Sequence, residues 1–197
     1  MTLRGLAGAL WLATASAGAA AYDVRDLVAD YSEHRYRVRL TARLDAPPAA
    51  VMAVLTRYER YPSLDPRIRE ARVQAGADGQ RRLVTLLEGC VGSWLCRDLK
   101  RVESLREAPL VLEAIVVPEE SDLRYGRTVT TLTSEGEGTH VEYTSEFELG
   151  FWAPAWLVRR TMLRTLESGT RDMFAAVEEA ARTEPGAPRT HAEVPAP

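Results

Sequence analysis

The sequence has few of the residues that build catalytic and metal sites. Its 197 residues include two cysteines, three histidines and a single lysine, Lys100. His34, His140 and His191 stand far apart, and none has a second ligand at metal-binding spacing. No glycine-rich phosphate loop, HExxH motif or EF-hand pattern occurs. We therefore predict no metal site and no cofactor, and we favour a non-enzymatic role over an enzymatic one.

An excess of one charge sign is also lacking. The 25 Lys+Arg residues nearly balance the 28 Asp+Glu residues, which gives a formal net charge of -3, and 46% of the residues are hydrophobic. This balance argues against a broad basic surface for nucleic acid, and the hydrophobic content is typical of a folded domain. The length suits one domain with tails.

Residues 1–21 match a secretory signal peptide. A basic segment (1–4) precedes an apolar stretch (5–13) and a run of small residues (14–21) that contains two A-x-A cleavage motifs. We expect cleavage near Ala21–Tyr22 and therefore a periplasmic or secreted protein. A retained membrane anchor is the less favoured alternative, because the apolar stretch is short and rich in small residues.

Cys90 and Cys96 flank a turn signal, Gly92-Ser93, between two strand-like runs. Two cysteines in an exported chain most often pair, and a hairpin brings the Cα atoms within bridging range. We predict a disulfide, and two small buried thiols are the alternative.

Within residues 33–44, apolar side chains alternate strictly from residue 35 onward with arginines and one threonine, Thr41. Tyr36, Val38 and Leu40 share the apolar face, as expected for a strand with one buried side. The arginine face is interpreted as a solvated sheet face, and transient attraction to a membrane surface is the alternative. Residues 22–32 read as a short leader, with one or two helical turns as an option.

The rest of the chain indicates an α+β domain. Closely spaced strands argue for an antiparallel meander, and the glutamate-faced last strand is expected to pair with the arginine-faced strand. We predict a curved antiparallel sheet of six to seven strands, two short helices after the first strand and one long C-terminal helix. The predicted strands cover 68–74, 82–88, 94–105, 110–117, 123–132 and 139–149, the first short helix 49–55, the long helix 154–182, and a disordered proline-rich tail 184–197.

Several phrases resemble the helix-grip, START-like superfamily, also called SRPBCC. They are LDAPPAAVMAVL at 44–55, YERYP at 58–62, Pro66 with Ile68 and Val73, and the long final helix with Trp156. The superfamily includes polyketide cyclases/dehydrases and coenzyme-Q-binding proteins, and the Tyr-Pro stretch is most similar to the latter. The resemblance implies a helix-grip domain over residues 33–183.

A curved sheet that grips a helix leaves a ligand cavity between them. The resemblance thus implies a monomeric carrier of a hydrophobic small molecule such as a lipid, quinone or polyketide-like compound, with a cyclase/dehydratase-type enzyme as the alternative. An Arg127–Glu113 pair would lie in the cavity only if those strand faces point inward, and the outward orientation is favoured. The candidate cavity residues are Tyr36, Val38, Leu40, Leu112, Ala114, Tyr125, Arg127, Val141, Tyr143, Phe147, Met162, Leu166, Gly169 and Met173.

Overall fold

The computed structural model describes residues 22–76, 79–91, 95–151 and 155–183. The predicted signal peptide (1–21) and tail (184–197) lie outside the described residues. In the described ranges the strands form one antiparallel sheet of eight strands, in the order β1-β2-β8-β7-β6-β5-β4-β3. The strands are β1 Asp23–Ser32, β2 Arg35–Leu44, β3 Ile68–Ala75, β4 Arg81–Val91, β5 Leu95–Ala108, β6 Val111–Val116, β7 Leu123–Glu135 and β8 Gly138–Leu149. The α-helices of the described residues are α1 Pro48–Leu55, α2 Tyr61–Leu64 and α3 Ala155–Thr183, and short 3-10 helices cover Tyr58–Arg60 and Pro118–Glu120. The predicted α+β helix-grip architecture is confirmed.

The strand count exceeds the prediction because residues 23–32 form a strand. The interpretation of residues 22–32 as a leader with helical turns is wrong. β1 pairs antiparallel with β2 through a two-residue turn at Glu33 and His34, whose φ angles are 51° and 65°. Neither residue is a usual hairpin residue, since both must adopt the left-handed backbone that glycine and asparagine favour. The turn therefore gave no recognisable signal.

The expected pairing of the arginine-faced strand with the last strand is confirmed. β2 pairs antiparallel with β8, and Arg37 lies opposite Glu146. Arg35 Nη1 and Arg37 Nε donate to Glu146 Oε1 at 3.2 and 3.0 Å. Burial raises the pKa of Glu146, but these hydrogen bonds outweigh it and leave the pKa below its usual range. Arg35 and Arg37 are thus paired with a carboxylate of the neighbouring strand.

Helix α3 packs against the inner face of the sheet along β1 and β2 and against α1. Its C-terminal half is firmly seated, because Phe174 and Val177 are fully buried among core residues of β2, β8 and α1. Glu178 Oε2 accepts a hydrogen bond from the Asp45 backbone N–H at 2.9 Å, which ties this half to the end of β2. The described helices include none that is long and apolar enough to cross a membrane.

Candidate functional site

A cavity of about 250 Å³ lies between the inner face of the sheet and the N-terminal half of α3. In the C-terminal half of the helix, Phe174 and Val177 pack into the core against the sheet. The N-terminal half does not pack closely against the sheet and leaves a gap. The lining is largely apolar. The aliphatic and methionine side chains that line it are Val38, Leu55, Ile68, Leu83, Leu87, Leu99, Leu105, Leu112, Ala114, Leu123, Met162, Leu166 and Met173.

Nine of the fourteen predicted cavity residues line this space. They come from the inward faces of β2, β6 and β8 and from one stripe of α3, as the period-two and helical spacing indicated. The nine are Val38, Leu112, Ala114, Tyr143, Phe147, Met162, Leu166, Gly169 and Met173.

Three other predicted residues face inward but do not line the cavity. Leu40 and Val141 are buried in the core cluster beneath the closely packed half of α3. Tyr36 is 3% exposed, and its ring stacks on Phe147 with 5.4 Å between the centroids. Strand phase identified the correct face for these residues, but it does not show where along the strand the helix closes on the sheet.

Tyr125 and Arg127 lie on the outer face, so their assignment to the cavity is wrong. Arg127 Nη2 lies 2.7 Å from Glu113 Oε1, and the arginine side chain is 55% exposed. The guanidinium of Arg35 lies 4.1 Å from the ring centroid of Tyr125, outside the grip. A register irregularity between Leu123 and Tyr125 sets the phase of β7. The favoured outward orientation of the Arg127–Glu113 pair is confirmed.

Arg101 and Glu103 form the charged pair that does line the cavity, and sequence reasoning missed both residues. Arg101 Nη2 donates to Glu103 Oε1 and, at 2.9 Å, to Thr128 Oγ1. Glu103 is 3% exposed. Burial lowers the pKa of Arg101, but the adjacent Glu103 carboxylate outweighs this, so the pKa lies above its usual value and the side chain stays charged. The two residues are two apart on β5 and therefore share its inner face.

The polar patch around this pair continues across the sheet. Thr128 Oγ1 and Ser145 Oγ lie 3.0 Å apart in a hydrogen bond that joins β7 to β8. Tyr143, two residues earlier in the chain, lines the cavity and packs edge-on against Phe174 with 5.3 Å between the centroids. Burial raises the pKa of Tyr143, so its hydroxyl stays protonated near neutral pH.

A second charged pair closes the cavity wall between β3 and α3. Asp65 is 7% exposed and accepts hydrogen bonds from Arg67 Nε at 2.9 Å and from Nη2 at 2.5 Å. Arg67 Nη1 donates to the Thr165 backbone carbonyl of α3 at 2.9 Å. The guanidinium lies directly on Gly169, where a Cβ atom would overlap it. The close approach to the helix backbone at Gly169 is thus made by an arginine side chain.

Two tyrosines complete the wall: Tyr58, between α1 and α2, and Tyr61, the first residue of α2. Tyr61 donates its hydroxyl hydrogen to the Leu55 carbonyl at 2.8 Å, and Tyr58 donates to Glu107 Oε1 at 2.7 Å. Burial raises the pKa of both phenols. Both hydroxyls are therefore protonated and already bonded within the protein, so they support the cavity and have no free hydrogen atom to donate to a ligand.

The arrangement is a largely apolar chamber with a local polar patch. Its described lining contains neither histidine nor cysteine. Apolar walls with a few convergent polar groups are typical of a small-molecule site.

The fold and the sequence agree with known proteins. The family model described as "Polyketide cyclase / dehydrase and lipid transport" matches residues 35–182. TTHA0849 from Thermus thermophilus has a similar structure with a TM-score of 0.63 and 18% identity, covering 76% of this chain and 99% of that one. The Zhui aromatase/cyclase from Streptomyces sp. R1128 gives a TM-score of 0.56 and 17% identity, covering 82% and 100%.

A STAR-related lipid transfer protein from Xanthomonas axonopodis is also similar, with a TM-score of 0.56, 17% identity and coverage of 82% and 99%. A search of curated proteins gave no match. At these identities the solved structures show the fold alone, whereas the family model spans most of the chain. The resemblance to the START-like superfamily is confirmed, and the chain belongs to the polyketide cyclase/dehydrase and lipid transport family.

Proposed function

We propose that the protein is an exported carrier that holds a hydrophobic small molecule between the sheet and α3. The observation that carries this proposal is the cavity of about 250 Å³ with its largely apolar lining. Burial of ligand surface there would be favourable by roughly 25 cal/mol per Å². Met162 and Met173 give the helical wall side chains that adapt to different ligand shapes.

The first experiment is to extract the purified protein with organic solvent and identify what it releases by mass spectrometry, with native mass spectrometry of the intact complex in parallel. A stoichiometric apolar compound, a lipid, quinone or polyketide-like molecule, is the expected result. Binding should leave the protein monomeric in light scattering, and liposome flotation tests the alternative of transient membrane contact. If neither the extract nor apolar probes added to the protein give a complex, the carrier function is wrong.

A cyclase/dehydratase-type enzyme is the second candidate. It is supported by the family description and by the buried Arg101–Glu103 pair, which could polarise a carbonyl group in the cavity. Incubation of the extracted compound with the protein separates the two functions. A carrier returns the compound unchanged, whereas a dehydratase returns a product that has lost water. Substitution of the pair lowers affinity in a carrier, but in an enzyme it abolishes turnover while binding remains.

Export and the disulfide are part of the same proposal. The backbone register places Cys90 directly opposite Cys96 in the β4–β5 hairpin, as a bridge requires. In the periplasm of a Gram-negative host, we expect a mature chain that begins within a couple of residues of Tyr22, found by N-terminal sequencing. A chain without residues 1–21 should stay in the cytoplasm. Recovery of the full-length chain from the membrane fraction would instead support a retained anchor.

The disulfide is tested on the exported protein without reduction. Peptide mapping should recover a Cys90–Cys96 cross-linked peptide, and a thiol reagent should find no free thiol before reduction. Because the closed loop is short, Cys90→Ser with Cys96→Ser should lower the free energy of unfolding by only about 2 kcal/mol. Two reactive thiols in the unreduced exported protein would contradict the pairing.

A further inference from the structure

The Arg101 guanidinium has donors that no described residue uses. Its hydrogen bonds to the described part of the chain run through Nη2, to Glu103 and Thr128. Nε is buried without a partner, and no residue in the described ranges accepts a hydrogen bond from Nη1. Arg101 lines the cavity, and its side chain is 22% exposed. A ligand that displaces water from this guanidinium must supply an acceptor, because a charged donor left without one is costly. Nη1 is therefore the Arg101 donor that remains available to an oxygen acceptor in the cavity.

The charges around the cavity indicate which kind of acceptor fits. Arg101 is balanced by Glu103, and Arg67 is balanced by Asp65. The remaining charged residue of the lining, Glu88, accepts a hydrogen bond from the exposed Arg69 Nη2 at 2.7 Å. A ligand with its own negative charge would have no unpaired cation to neutralise it, so an uncharged oxygen is favoured over a carboxylate or phosphate.

The volume sets the size of the ligand. A space of about 250 Å³ lies just below the range of roughly 300–1,000 Å³ that is typical of pockets for drug-sized ligands, so it suits a compact ligand better than a lipid with two long acyl chains.

We infer that this cavity selects a compact, uncharged, largely apolar molecule whose carbonyl or hydroxyl oxygen accepts a hydrogen bond from Arg101 Nη1. The inference rests on the proposed function and adds to it the chemistry of the ligand. It excludes free fatty acids and two-chain phospholipids as the preferred ligands.

The test uses three two-ring probes of similar size and measures their affinities by calorimetry. 2-Acetonaphthone carries a neutral carbonyl group, 2-ethylnaphthalene lacks it, and 2-naphthoate replaces it with a carboxylate. We expect wild-type protein to bind 2-acetonaphthone at least about tenfold more tightly than 2-ethylnaphthalene, because a hydrogen bond from a charged donor is made only to the ketone. The naphthoate should bind more weakly than the ketone.

The key variant is Arg101→Met combined with Glu103→Gln, which removes the donor without leaving a buried carboxylate unpaired. In this variant the preference for the ketone should disappear while 2-ethylnaphthalene binding persists. The matched control is Arg127→Met with Glu113→Gln, which removes an equivalent pair from the outer face and should leave all affinities unchanged. If the double variant does not fold by circular dichroism, Arg101→Lys keeps the charge beside Glu103, withdraws the Nη1 donor and should also reduce the preference.

Several results would overturn the inference and leave the proposed function standing. They are equal binding of ketone and hydrocarbon, tightest binding of the naphthoate, a ketone preference that survives the Arg101 variants, or an extracted ligand that is charged or has two acyl chains. If no probe binds and the solvent extract contains no ligand, both this inference and the proposed carrier function are wrong.

Discussion

At the level of single residues, Gly169 has a definable role in α3. Glycine in a helix interior costs about 1 kcal/mol relative to alanine, yet here a side chain would displace the Arg67 guanidinium. The displacement would break hydrogen bonds to Asp65 and Thr165. We predict that Gly169→Ala lowers the free energy of unfolding by about 1–2 kcal/mol, measured by urea denaturation.

The control is the same substitution in a chain that carries Arg67→Ala and Asp65→Asn. Removal of the guanidinium takes away the three atoms that lie nearest to the added methyl group, so Gly169→Ala should stabilise that background by about 1 kcal/mol. If Gly169→Ala changes the free energy of unfolding equally in both backgrounds, the Arg67 guanidinium is not the reason for a glycine at this position.

At the level of elements, the β1–β2 hairpin depends on a turn whose residues suit it poorly. Both Glu33 and His34 have left-handed backbone angles, which cost roughly 1–2 kcal/mol per residue for side chains other than glycine. We predict that Glu33→Asn with His34→Gly raises the free energy of unfolding by about 1–2 kcal/mol, measured by urea denaturation.

The reverse substitution provides the control. Gly136 has a φ of 63° and no atom near its missing Cβ, so Gly136→Ala should cost about 1 kcal/mol through backbone strain alone. The contrary result is a Glu33→Asn/His34→Gly variant with unchanged free energy of unfolding, together with a Gly136→Ala variant that is destabilised. It would show that β1 contributes little to the cooperative unfolding unit.

The same elements show how far sequence reasoning reaches. The alternation of apolar and polar side chains correctly predicted β2, β6 and β8, because each of these strands has one buried face and one more exposed face. It failed for β1, where the turn lacks the usual residues. It also failed to orient β5, because Val102 and Glu103 are adjacent and both buried. The Val102 carbonyl accepts a hydrogen bond from the Val117 N–H, and the Val102 N–H donates to the Ser121 hydroxyl, so residues 117–121 lie beside this part of β5. That long-range contact leaves no local trace, so the charged pair of the cavity was not predictable.

At the level of the whole molecule, the tyrosines set the alkaline limit of stability. Burial raises the pKa of Tyr22 to about 12, and its hydroxyl donates to the Arg171 carbonyl at 2.5 Å. Burial likewise raises the pKa of Tyr36, Tyr58, Tyr61 and Tyr143. In the unfolded chain these phenols ionise near pH 10. Above that pH the unfolded state has lost protons that the folded state keeps, so the free energy of unfolding falls as pH rises.

We therefore predict that these tyrosines contribute no pH dependence below about pH 9 and that stability declines progressively above about pH 10, measured by urea denaturation across a pH series. The ultraviolet absorbance of tyrosinate should rise sharply at unfolding, because most of the phenols stay protonated as long as the protein is folded. Tyr22→Phe removes one of the groups whose ionisation favours the unfolded state and should make the decline between about pH 10 and 12 shallower. Full tyrosinate absorbance near pH 10 in a chain that still shows native circular dichroism would mean that water reaches these phenols in the folded state, and burial would then not explain the alkaline limit.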